Sequence, residues 1–199
     1  MQRWVWIEVD DPAAVHDAVQ SVVHAQVVPA AVEVDQPVDG RATVTVLLGG
    51  KAEGVEGRVR TTRRLLGEHA EVAENAPASW SSYPWQPGET GLKLTCVLSG
   101  LRDVLRTARE VGASVRGSGG TGVLYAAVAD AERAAEAVER LRAVCVRHQG
   151  AAVVVDAPRE VKQAVDAWGA VPALDLMRRV KDQFDPSHRL APGRFVGGI

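Results

Sequence analysis

The sequence has no surplus of either charge. Its 23 lysines and arginines face 25 aspartates and glutamates, a formal net charge of −2. No basic run interleaves with aromatic residues, so the electrostatic footprint of a nucleic-acid binder is missing. There are only two cysteines, Cys96 and Cys145. They fall in an apparent strand and an apparent helix, which suits reduced core thiols of a cytoplasmic protein, although a disulfide between them stays open. No apolar run approaches the ~20 residues of a membrane span, and Met1 runs straight into a strand pattern without a signal-like segment. The five histidines, His16, His24, His69, His148 and His188, are dispersed, with no pair at helical ligand spacing and no cysteine beside them. A metal site, and with it a copper or zinc enzyme, is therefore not expected. No nucleophile elbow occurs either, and Asp10-Asp11 and Glu53/Glu56 read as helix-start charges rather than an acid–base pair.

What the sequence does have is apolar mass. At 199 residues and 46% hydrophobic it can bury a sizeable core, as one large domain or two small ones. Arg3 to Val9 is rich in β-branched and aromatic residues and reads as a strand; Asp11-Pro12 then supplies an N-cap and a first-turn proline. The helix that follows, about Pro12 to Ala25, carries Val15, Val19 and Val22 on one face. Val27 to Val34 and Ala42 to Leu48 are strands around Asp39-Gly40. Val55, Val59, Thr62 and Leu66 mark the buried side of a second helix closed by Gly67, and Ala70 to Glu74 is a short strand. The order is β-α-β-β-α-β.

The same order restarts after a stretch of different character. Between Asn75 and Gly91, Pro77, Pro84, Pro87 and Gly88 lie among Trp80, Tyr83, Trp85 and three serines. Such aromatics argue against a free linker and for packing on this protein or a partner. Leu92 to Leu98 is then a strand, and Ser99 opens a helix through Leu101, Val104, Leu105, Ala108 and Val111, closed by Gly112. Ala113 to Arg116 and Val123 to Val128 are strands joined by a glycine-rich turn. Asp130 caps a long helix with Ala134, Val138, Leu141 and Cys145 inward, and Ala151 to Asp156 is a buried strand. The expected fold is α+β: two ferredoxin-like βαββαβ units forming a largely antiparallel sheet covered by helices, plus C-terminal helices. The boundaries are 1–75 for the first unit, 76–91 for the connector, 92–157 for the second unit and 158–199 for the C-terminal helices and tail. Within the last, Pro158 opens a short helix to Trp168.

Gly117-Ser-Gly-Gly-Thr-Gly122 satisfies the dinucleotide pattern G-x-G-x-x-G, but a strand follows it rather than a helix, and no phosphate-loop lysine is near. It reads first as a flexible hairpin, and second as a place where backbone could approach a ligand. Arg116 borders that turn and could meet an anion, or be a surface arginine. Trp168 and Phe184 read as core residues.

The closing stretch is the most specified. Leu174, Met177, Val180 and Phe184 make an apolar stripe at helical spacing, opposite Asp175, Arg178, Arg179, Lys181 and Asp182. Asp185-Pro186 stops the helix, and Pro192-Gly193 turns the tail. One face is built to dock. Met177, Lys181, Phe184-Asp185-Pro186, Leu190 and Pro192-Gly193-Arg194 resemble the terminal motif of FAD-linked oxidases of the vanillyl-alcohol-oxidase type. Within that family, Gly122-Val-Leu-Tyr125, Val165-Asp-Ala-Trp-Gly169 and Leu174 to Ile199 are most similar to the FAD-binding subunits of bacterial glycolate oxidases.

The resemblance implies a cap domain whose sheet closes over a flavin held mainly by an upstream domain that this chain does not include. It implies a cytoplasmic flavin-dependent 2-hydroxy-acid oxidoreductase, membrane-associated if at all through its partners, in which hydride passes to the FAD rather than to this polypeptide. The implied partners are the protein's own upstream flavin-binding domain, a catalytic flavoprotein subunit and an iron-sulfur subunit. Catalytic relatives carry His-x-Gly-Asp-Gly-Asn-x-His where this sequence, aligned on Gly120 and Gly122, has Ser118, Thr121, Val123 and Tyr125. With both histidines absent there is no imidazole to move a proton or bind a metal, so no catalytic residue is assigned and an accessory subunit is implied. Arg116, Ser118, Thr121 and Tyr125 are the flavin- or substrate-facing candidates. Phe184, Asp185, Pro192, Gly193 and Arg194 are the candidates for docking to the flavin domain, with Ala191 standing where asparagine is usual. The alternative from another class is a non-enzymatic regulatory or interaction module built from paired ferredoxin-like units.

Overall fold

The computed structural model describes residues 1–199. The elements in chain order are β1 (Gln2–Val9), α1 (Pro12–Val23), β2 (Ala31–Gln36), β3 (Ala42–Gly49), α2 (Ala52–Leu66) and β4 (Glu71–Ala73), then β5 (Thr90–Thr95), α3 (Leu101–Glu110), β6 (Ser114–Ser118), β7 (Val123–Val128), α4 (Ala131–Arg147), β8 (Ala152–Asp156), α5 (Arg159–Ala164) and α6 (Leu174–Phe184). All eight strands join one sheet in the order β4-β1-β3-β2-β6-β7-β5-β8, and every pairing is antiparallel. Each βαββαβ half thus keeps its ferredoxin-like order, and the halves meet where β2 pairs β6, Val34 opposite Gly117 and Asp35 opposite Arg116. Joining the two inner edges removes two exposed rows of backbone donors and acceptors.

Alternation decides which face each strand residue serves. Val32, Val34 and Gln36 of β2, Val44, Val46 and Leu48 of β3, and Leu124, Ala126 and Val128 of β7 are buried on one side. There α2, α1, α3 and α4 lie side by side, α1 against both α2 and α3, and α4 against α3. Their stripes fill a single core that spans both halves, including Val15, Val19, Val55, Leu105, Val138 and Leu141. Asp11 caps α1 by accepting from the Ala14 N–H at 2.8 Å, and Asp130 caps α4 by accepting from Glu132 N–H at 2.9 Å. Cys96 and Cys145 are free and buried in this core, and burial, with Cys96 alongside, pushes the Cys145 thiol up to about 12. Neither is a nucleophile at neutral pH.

Three local expectations are corrected. β2 starts at Ala31, not Val27, because Val28 takes a left-handed backbone (φ 45) and Pro29 has no N–H for a ladder. Ser99 caps nothing; a 3₁₀ turn, Leu98–Gly100, leads into α3, and glycine is needed at 100 because the His148 ring lies against it. α5 ends at Ala164, after which the chain runs beside β8 and Ala167 C=O accepts from Val154 N–H at 2.8 Å. No helix is long and apolar enough to cross a membrane.

The C-terminal segment is held differently. No residue of α6 is buried, and Phe184, read from sequence as core, is 82% exposed. Its stripe does not pack on the sheet. The tail folds back on α6 instead: Lys181 Nζ donates to Leu190 C=O at 2.6 Å, Trp168 meets Phe195 edge to face at 5.4 Å, and Val196 is buried.

Candidate functional site

The sheet face opposite the helices is where side chains are free to meet something else, and residues 76–89 cross it. Trp80 packs edge to face on Trp4 of β1 (6.3 Å between ring centres), Tyr83 stacks on Trp85 at 4.4 Å, and Tyr83 meets Tyr125 of β7 at 4.9 Å. The Trp85 ring lies directly on Gly91, where a Cβ would collide with it, so that glycine on β5 makes room for the indole. The aromatics of the connector therefore cover their own sheet.

Arg116 fastens this strap. Its Nη1 donates to Ser82 Oγ at 2.8 Å and to Tyr83 C=O at 3.3 Å, while its Nε pairs with Asp35 at 3.1 Å. Beneath the strap, over the β2–β6 junction, lies a cavity of about 270 Å³ whose lining includes Glu33, Asp35, Trp80, Tyr83, Arg116 and Tyr125. Glu33 is half-buried, and that burial pushes its carboxyl above the ordinary range, with a hydrogen bond from Ser118 pulling the other way.

Of the four face candidates, Arg116 and Tyr125 are register partners and line the cavity, and Ser118 stands opposite Glu33. Thr121 is exposed at the hairpin tip, away from them. The glycine turn itself is occupied by its own protein. A Cβ at Gly119 would stand 2.7 Å from Val34 and 3.1 Å from Val19, and one at Gly122 would run into the Cys96 carbonyl. Glu33, Asp35 and Ser82 were not singled out from sequence. Alternation around Val32, Val34 and Gln36 places the two carboxylates on the open face, but only the β2–β6 pairing puts them in the middle of the molecule.

Among the docking candidates, Asp185 is 7% exposed and turned inward. It pairs with Lys181 at 2.7 Å and accepts from the N–H groups of Arg189 (3.0 Å) and Leu190 (2.9 Å). These bonds, that from Lys181 first, hold its carboxyl down to about 2. Phe184, Pro192, Gly193 and Arg194 are exposed. No group of three or more histidine, cysteine or carboxylate side chains is placed to hold a metal.

Fold and face together describe a double ferredoxin-like sheet with helices on one side and a strapped, partly polar surface on the other. The family described as FAD linked oxidases, C-terminal domain, matches residues 123–195. The match takes in α6 and the Asp185 turn as well as β7 to β8, and supports a likeness to that family over this part of the chain. A second family, GHMP kinases C terminal, matches residues 62–147. That match begins inside α2 and stops before β8, so it cuts across both halves and corresponds to no folded unit. No curated relative matches the sequence.

Among solved structures, the xylooligosaccharide oxidase from Myceliophthora thermophila C1 in complex with xylobiose is similar at a TM-score of 0.52 and 12% identity, over 94% of this chain and 53% of that one. FgChi7B aligns over the same shares at 12% identity and a TM-score of 0.49. A microcompartments protein from Desulfitobacterium hafniense DCB, at 16% identity, covers 83% of this chain and 99% of that one at a TM-score of only 0.30, too loose for a structural argument. The first likeness shows a shared fold, and the chain spans about half the length of that oxidase.

FAD does not fit this chain as a complete site. The glycine turn is filled by valine side chains and a carbonyl rather than open to a pyrophosphate. The cavity on the open face, at about 270 Å³, falls below the ~300–1,000 Å³ usual for ligand pockets and is far too small for a dinucleotide.

Proposed function

We propose that the chain is the cap domain of the FAD-binding subunit of a glycolate oxidase-like, flavin-dependent 2-hydroxy-acid oxidoreductase. The observation that carries this is the coincidence of the FAD-linked oxidase match, 123–195, with a C-terminal helix and turn built to dock but left uncovered here. In this reading FAD is held by the protein's own upstream flavin-binding domain. The stripe of α6 and the Pro192-Gly193-Arg194 turn face that domain, and the open face of the sheet turns toward the flavin. A catalytic flavoprotein subunit and an iron-sulfur subunit complete the assembly. Polar residues without histidine at 118, 121 and 125 support an accessory role, as does an open-face cavity whose guanidinium is already engaged by Asp35. The test is to express the chain with the reading frame upstream of Met1 and record the visible flavin spectrum. A flavin-bound protein is expected; one that purifies colourless and cannot be reconstituted with FAD contradicts the proposal.

The cavity at the junction of the two halves favours a second reading, an interaction or regulatory module, since strands of both halves and the connector together line it. Under that reading the longer protein carries no flavin and the junction itself is the working site.

A further inference from the structure

The cavity under the strap has a charge left over. Arg116 forms an ion pair with Asp35 at 3.1 Å, and its Nη1 donates to Ser82 and Tyr83. Glu33, on the same floor and opposite Ser118 in the sheet register, makes no ion pair. Trp80, Tyr83 and Tyr125 supply aromatic walls beside it. With two carboxylates, Glu33 and Asp35, against one guanidinium in the lining, the cavity disfavours an anion. A bare divalent metal would need several more oxygen ligands than one free carboxylate offers. An organic cation satisfies both features at once, because the carboxylate offsets its charge and the rings attract it through their quadrupoles. The volume, about 270 Å³, limits the guest to a small molecule.

We propose that this cavity binds a small organic cation, an ammonium compound no larger than choline, between Glu33 and the Trp80 and Tyr83 rings. Its lining residues are present under either functional reading.

Choline is titrated into the 199-residue chain while the five tryptophan indole N–H resonances are followed by NMR, with 3,3-dimethyl-1-butanol as its uncharged isostere and glycolate as the anion. The Trp80 resonance is expected to shift saturably with choline and far less with either of the others. Glu33→Gln keeps the shape and removes the charge, and should weaken choline at least about tenfold. Trp80→Leu, a change in the connector outside the sheet, should weaken it comparably and gives a separate reading if Glu33→Gln does not fold. No saturable choline shift overturns the proposal, as do equal affinity for the uncharged isostere, tighter binding of glycolate, or unchanged choline affinity in a folded Glu33→Gln or Trp80→Leu protein.

Discussion

The sheet body and the C-terminal helix are written in the same amphipathic pattern and end in opposite states. In α1 and α4 the stripes Val15, Val19, Val22 and Ala134, Val138, Leu141 are completely covered. In α6 the equally regular stripe of Leu174, Met177, Val180 and Phe184 has nothing buried, and Phe184 is 82% exposed. An amphipathic pattern thus says that a helix has a face to bury and not where the covering surface is. In the body the covering surface is local in sequence, the next strand or helix of a βαββαβ unit. For α6 none of the sheet, the four packed helices or the connector supplies it.

The largest predicted difference follows directly. Leu124→Ala, in a fully buried position of β7, should cost roughly 2–5 kcal/mol in denaturant unfolding of the chain. Phe184→Ala in α6 should stay within about 0.5 kcal/mol. An equal cost for the two would break the contrast.

Glycines sharpen it next. Gly122 and Gly193 both have positive φ, 70° and 73°, but a Cβ at 122 meets the Cys96 carbonyl whereas one at 193 meets nothing within 4 Å. Gly193→Ala should cost only the left-handed backbone strain, about 1–2 kcal/mol, felt as fraying of the tail. Gly122→Ala should add a steric clash to the same strain and lower the global unfolding midpoint.

The two regions should also answer pH with opposite sign. Asp185 has its carboxyl lowered to about 2 by Lys181 and two backbone N–H groups, so its contribution to tail order is complete above the ordinary carboxylate range and is lost as pH falls toward 2. The Arg189 and Leu190 amide resonances should report that loss, and Asp185→Asn should abolish the titration. Glu33 is raised, so the body loses stability as pH rises from about 4.5 through its folded-state value. Glu33→Gln should flatten that slope in unfolding curves taken between pH 4 and 7.

The smallest effect is at Ala191, whose φ of 45° is left-handed. Asparagine tolerates that conformation better than alanine, so Ala191→Asn should steady the tail by up to about 1 kcal/mol, read as slower exchange of the Arg194 amide.

Much of the body was legible because its information is local. Asp11 and Asp130 announced two helix starts, Gly112 announced an end, and the stripes of α1 to α4 named their buried faces correctly. What escaped was nonlocal. The pairing of β2 with β6 places Glu33, Asp35 and Arg116 together, and no periodicity in either strand encodes the partner. The connector declared its aromatics but not their seats on Trp4, Gly91 and Tyr125. The glycine turn invited a ligand reading because a pattern of glycines does not say whether ligand or core fills the space they leave. Phe184 reads as core in the sequence and is exposed for the converse reason, that an apolar stripe does not say whether a surface covers it.

The proposed function has α6 and its turn facing a flavin-binding domain. Amide hydrogen exchange over residues 174–195 tests it most directly, comparing the isolated chain with the protein carrying its upstream flavin domain. Marked slowing is expected in α6, the Pro192-Gly193-Arg194 turn and the open face of the sheet, with the core of α1 to α4 unchanged. Equal exchange of α6 in the two proteins would contradict it.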